Sequence, residues 1–201
     1  MQGQTVQDSS IILGEHAAEH GHPDHRLFGL VLFLVAESMI FLGLFSAFLL
    51  YRATLPVWPP AGTPERELLL PGINSLILIS SSFIMHRGQV AIKKNDVSGL
   101  RFWFGLTALL GAIFLAGQMY EYFHLAFGLK TNLFASCFYV LTGFHGLHVT
   151  FGLLLILMVL YRSLKNEHYN SQNHFGVEAA ELYWHFVDVV WIILFGLVYL
   201  L

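Results

Sequence analysis

The 201-residue chain is 56% hydrophobic and 11% charged, less than half the ~25% charge usual in a soluble globular chain. That deficit, with apolar runs of roughly twenty residues or more, excludes a soluble core and indicates an integral membrane protein. A formal charge of −3 offers nothing to a nucleic acid, and the single cysteine, Cys137, excludes an internal disulfide or a thiolate metal cluster.

In chain order, residues 1–26 form a polar tail in which His16, His20, His22 and His25 sit among acids. Such a run reads as an unstructured or loosely docked segment with some capacity for a divalent ion. It lacks the basic-then-apolar order of a cleavable signal, so the first apolar helix is expected to act as its own insertion signal. From residue 27 to residue 201 the chain reads as one membrane domain. The first span is Leu27–Tyr51. Glu37 lies about ten residues into it, roughly 15 Å deep and near the midplane. Two readings of Glu37 stay open: a group that binds, relays or senses protons, or a protonated carboxylic acid that donates one hydrogen bond to a neighbouring helix.

A proline-rich connection, Ala53–Gly72, leads to the second span, Leu68–Met85. The third, Phe102–Phe127, carries Gln118, Glu121 and His124 on one side near its end, where a structural, interfacially hydrated role is expected. The fourth, Leu133–Tyr161, holds His145 and His148 within GFHGLHV. One helix rarely supplies enough metal ligands by itself, so interhelical hydrogen bonding is their expected use. Gly43 with Ala47, and Gly143, Gly146 and Gly152, favour close helix approach. After a polar connection, Arg162–Gly176, the last span runs from Glu178 to Leu201. At 100° per residue, His185 and Asp188 lie within roughly 40° of Glu181 on its surface. Lipid cannot satisfy such groups, at roughly 2.5–3.5 kcal/mol for an acid at the bilayer centre, so this face is expected to meet protein or water.

The fold class predicted is all-α integral membrane, a bundle of five transmembrane helices, because a helix satisfies its own backbone in lipid. A transmembrane barrel would need alternating strands of ~10 residues, and these runs are continuously apolar. Arg26, Arg87, Lys93, Lys94, Arg101, Arg162 and Lys165 fall on one side of such a bundle; Arg52, Arg66 and Lys130 fall on the other. By the positive-inside rule the N-terminus faces the cytoplasm and the C-terminus the outside. Trp58, Trp103, Tyr161, Tyr183 and Tyr199 suit interfacial belts.

Haem needs two histidines at similar depth on two helices. His148 lies about 20 Å from the inner end of its span and His185 about 10 Å, a mismatch that argues against a shared iron. A di-metal carboxylate site needs two Glu-x-x-His motifs; Glu121-Tyr122-Phe123-His124 supplies one, and Glu181 and His185 are spaced differently. No metal site is expected.

The elements GFHGLHV (Gly143–Val149) and NHFGVEAAELYWHFVDVVW (Asn173–Trp191) closely resemble subunit III of haem–copper cytochrome oxidases. AESMIFLGLFSAF (Ala36–Phe48), the VWPP of the first connection and PGINSLILISSS (Pro71–Ser82) fit the same family, and the resemblance runs from about Phe28 to Leu201. It implies a subunit without redox cofactors of its own, packed beside the catalytic subunit I that holds the haems and one copper. Subunit II, with its dinuclear copper, and small subunits complete a complex that reduces dioxygen to water and pumps protons, with cytochrome c or another soluble donor feeding subunit II. The resemblance further implies that Glu37 matches a carbodiimide-reactive membrane glutamate, that Arg162 matches a residue contacting lipid phosphate, and that His148 and Glu37 border a structural phospholipid. The mitochondrial form has seven helices and this chain begins at the family's third, so part of that lipid cleft is missing or comes from extra helices of subunit I. The short form implies a bacterial cell membrane or internal respiratory membrane.

The sequence thus reads as the five-helix, non-catalytic subunit III of an aa3-type oxidase. It supports subunit I stability, lipid binding and proton uptake, with Glu121, His124, His145, Glu181, His185 and Asp188 as interhelical polar packing. Three rivals have distinguishing signs: a ubiquinol oxidase subunit III, by the copper ligands of subunit II; a proton-coupled transporter, by inverted repeats; and a membrane cytochrome, by a haem spectrum.

Overall fold

A computed structural model describes residues 25–60, 63, 68–165 and 169–201. The histidines at 16, 20 and 22 and the loop residues Pro64 and Arg66 lie outside the described residues. Five helices follow one another: α1 (His25–Thr54), α2 (Leu69–Lys93), α3 (Val97–His124), α4 (Leu133–Ser163) and α5 (Phe175–Phe195), the last continuing through a π-helical turn, Gly196–Leu200. All five are long and apolar enough to cross a membrane.

Local chemistry sets their ends. Asp96 and Asn132 cap α3 and α4, accepting from the backbone N–H of Gly99 and Ala135 at 2.8 Å each. Pro71 occupies the first turn of α2, where a missing N–H removes no intrahelical bond. Asn95, with φ 60°, turns the chain from α2 into α3, and its side-chain oxygen accepts from the N–H of Ser171 at 2.7 Å. That bond ties the α2–α3 turn to the α4–α5 connection. The Arg101 guanidinium donates to the Ser163 carbonyl, which the end of α4 leaves without a helical partner. Helix α2 runs past the apolar stretch to Lys93 because backbone bonding continues where the side chains turn polar.

The centre of the bundle is α5, which packs on α1, α2 and α4, while α3 packs on α2 and α4. Half of its span is buried (50%), against 11% for α1. Trp184 explains much of this. Its fully buried indole lies against Gly111 of α3 and Gly152 of α4, where an added Cβ would come within 2.6 and 2.9 Å of the ring. Its N–H donates to the Ser81 hydroxyl of α2 at 2.9 Å. Seven residues on, the Trp191 N–H donates to Ser75 at the same distance. Both indoles thereby satisfy their polar edge inside the bundle.

Helix α1 lies at the periphery and buries only Leu34, Phe41, Phe45 and Phe48. A Cβ added at Gly43 would meet no other element within 4 Å, and Gly43 and Ala47 are exposed, so this small pair faces away from the chain's own bundle. Tyr183 and Tyr199 are buried rather than interfacial, at 2% and 4% exposure. Their rings enter the aromatic core, and hydroxyl partners there replace headgroup water.

Candidate functional site

Between α1, α4 and α5 runs an apolar groove made of two adjoining cavities of about 270 and 450 Å³ that share Phe33, Phe151 and Tyr183. It exists because α1 touches its neighbours along a narrow strip and Ala179, Ala180 and Gly176 leave α5 thin on that side. At the end nearest the α2–α3 turn the wall includes Arg162 and Tyr169. The Tyr169 hydroxyl bonds the Arg162 guanidinium; burial pushes this phenol up, and the neighbouring positive charge pulls the other way.

Midway along the groove, Glu37 of α1 meets His148 of α4, with Oε2 and Nε2 3.1 Å apart. The Phe144 carbonyl lies 2.9 Å from His148 Nδ1 and can only accept, so Nδ1 carries a proton. One further proton then lies between Nε2 and the carboxyl. Whichever atom holds it, the pair carries no net charge, which suits a wall that is 11% exposed at His148 and 21% at Glu37. Sequence reading put these two residues near one lipid cleft; the structure joins them directly.

The polar face of α5 engages α2. Glu181 Oε1 lies 2.9 Å from His86 Nδ1 and 3.5 Å from His185 Nε2. His185 Nδ1 lies 3.1 Å from the Ser82 hydroxyl, which donates to Asp188 Oδ2. Toward the other end, Tyr199 donates to both oxygens of Glu121, at 3.0 and 3.1 Å, and Gln118 donates at 3.0 Å.

Two expected packing residues behave differently. His124 bonds the carbonyl of Tyr120 on its own helix, stacks on that ring and is exposed. Six residues on a helix advance the direction by about 240°, so His124 has left the face that Gln118 occupies. His145 is 1% exposed, and neither ring nitrogen has a hydrogen-bond partner among the described residues. Its ring lies against Trp191 and edge-on to Phe114, so it packs as an aromatic rather than bonding across helices.

His86, Ser75, Ser81, Ser82 and Tyr199 were not foreseen as polar partners. Two signals existed. Buried indoles need acceptors, and three successive serines in an apolar helix need partners or their own carbonyls.

Among the described residues no group of three or more His, Cys, Asp or Glu side chains is arranged to hold a metal ion. Five membrane-length helices, a hydrogen-bonded seam between two of them and a lateral apolar groove define a multi-pass helical membrane protein. Residues 3–201 match the family described as cytochrome c oxidase subunit III. Cytochrome c oxidase subunit 3 of Synechocystis sp. is 73% identical over 194 residues, covering 96% of this chain and 83% of the relative. The subunit 3 of Thermostichus vulcanus is 59% identical over 201 residues, covering 100% and 98%. That of Rattus norvegicus is 37% identical over 180 residues, covering 86% and 68%. The chain belongs to the cytochrome c oxidase subunit III family. It is accordingly a subunit of a respiratory oxidoreductase complex, with other oxidase subunits as its implied partners.

Proposed function

We propose that this chain is the non-redox subunit III of a bacterial aa3-type cytochrome c oxidase, and that its groove holds a structural phospholipid against subunit I. The haem a groups and coppers belong to subunits I and II, and cytochrome c delivers electrons through subunit II. The membrane domain spans residues 27–201, preceded by the tail of residues 1–26, with the N-terminus cytoplasmic. The distribution of basic residues supports that orientation.

One observation carries the lipid reading: Arg162, backed by Tyr169, stands at the mouth of an apolar groove that leads toward Glu37 and His148. A guanidinium at headgroup depth binds phosphate through parallel N–H donors, and the groove walls receive the tail. Losing such a bond costs about 1.5–3 kcal/mol, roughly ten- to a hundredfold in lipid retention. The purified complex carrying Arg162→Gln should therefore retain less phospholipid by mass spectrometry and lose activity sooner during turnover. Unaltered lipid content together with an unaltered active lifetime would refute this role.

A further inference from the structure

On the α2 side of α5, a second polar feature remains outside the lipid groove. A cleft of about 220 Å³, bordered by Leu27, Gln89, Glu178, Glu181, Leu182 and His185, opens toward the end of the bundle that carries the α2–α3 turn. It has room for several waters and polar groups to hold them. From its wall a continuous hydrogen-bonded chain leads inward, and the proton inventory fixes its direction. Ser82 has one proton and gives it to Asp188 Oδ2, so the Ser82 oxygen must accept from His185 Nδ1–H. In its neutral form with Nδ1 protonated, His185 turns an unprotonated Nε2 toward Glu181 Oε1, 3.5 Å away at the cleft wall. Exposure falls along this path, from 40% for the His185 side chain to 5% for Asp188, and Asp188 Oδ1 is buried without a hydrogen-bond partner among the described residues. That inner oxygen is free to face a group beyond the seam.

We propose that His185, Ser82 and Asp188, with Glu181 at the cleft wall, form a proton-loading site that delivers a proton from water to a carboxyl inside the bundle. The step balances. A proton from the cleft bonds to His185 Nε2; the Nδ1 proton passes to the Ser82 oxygen; the former Ser82 proton passes to Asp188 Oδ2. One proton is taken up, His185 ends neutral with its proton on Nε2, and Asp188 changes from carboxylate to carboxylic acid. Reversal of the same three transfers empties the site. Among the described residues the groups that bear on it are few. Helix α5 contributes Glu178, held 3.2 Å from His174, and Glu181. Helix α2 contributes His86, 61% exposed and bonded to Glu181, whereas Arg87 turns away over Trp103 of α3. Helix α1 presents only Leu27 to the cleft. The inference needs only the fold and stands apart from the lipid reading.

Infrared spectroscopy of the intact oxidase complex tests it. A carboxylic-acid C=O band should grow as pH falls, shift in deuterium oxide and vanish in Asp188→Asn. Its hydrogen–deuterium exchange should slow at least about tenfold in Ser82→Ala, since one relay bond is lost, and recover in Ser82→Thr, which restores the hydroxyl. Should Asp188→Asn fail to assemble, Asp188→Glu keeps the acid and must move the band. A pH-invariant band, a band indifferent to both Asp188 variants, or exchange as fast in Ser82→Ala as in wild type would each overturn the proposal.

Discussion

Glu37 and His148 share a proton across α1 and α4, and neither can be removed without consequence for the other. A lone Glu37→Leu leaves an imidazole nitrogen unpaired, and a lone His148→Phe leaves a carboxyl facing an apolar wall. Each single change should cost about 1–3 kcal/mol, the penalty for stranding a half-buried polar group. The double variant, apolar on both sides, should cost less than the sum by roughly 0.5–3 kcal/mol, measured by thermal unfolding of the complex in a double-mutant cycle. For the oxidase as an enzyme, Glu37→Ala should leave haem content intact and hasten loss of activity during turnover. An unchanged active lifetime would leave Glu37 with a packing role only. Three-residue spacing alone could not separate His145 from His148. The same motif sends one ring into an aromatic core and the other, about 60° round the helix, to a carboxylate on α1.

The helices were legible at the scale of elements because lipid enforces continuous apolar runs and permits only internally bonded backbone. The inward face of α5 was legible as well, since helical periodicity alone groups Glu181, His185 and Asp188. Which helix that face would meet was not. Ser82 and His86 lie about a hundred residues earlier in sequence, and nothing in their local pattern selects α5 as their neighbour. Glycine roles were also opaque: Gly43 meets nothing, whereas Gly152 admits Trp184. At Gly152 and Gly111 the clash falls on a rigid, fully buried ring held by Ser81, so alanine cannot be accommodated by a rotamer change. Gly152→Ala and Gly111→Ala should each destabilise the bundle by about 1–3 kcal/mol, seen as a lower unfolding temperature and weaker retention of this subunit in the purified complex. Gly43→Ala, with open space around it, should change bundle stability by less than about 1 kcal/mol.

For the whole molecule, the ends of the bundle differ in charge, and the structure gives those charges anchors. Arg26 lies 5.0 Å from the Phe175 ring centre, Arg87 5.5 Å from that of Trp103, and Arg101 bonds the end of α4. All three sit at the end with the α2–α3 turn, where basic side chains hold connections together. In a background lacking Cys137, a cysteine at Lys94 should react with an impermeant thiol reagent only from the cytoplasmic side, and one at Lys130 only from outside. The opposite pattern would invert the orientation proposed above.

The indole of Trp184 reaches slots formed by α3 and α4 and a hydroxyl on α2. During synthesis the residues that line those slots are made before the residue that occupies them, since α5 follows the other four helices in the chain. The one side chain that ties α2, α3 and α4 together is thus the last of that set to be made.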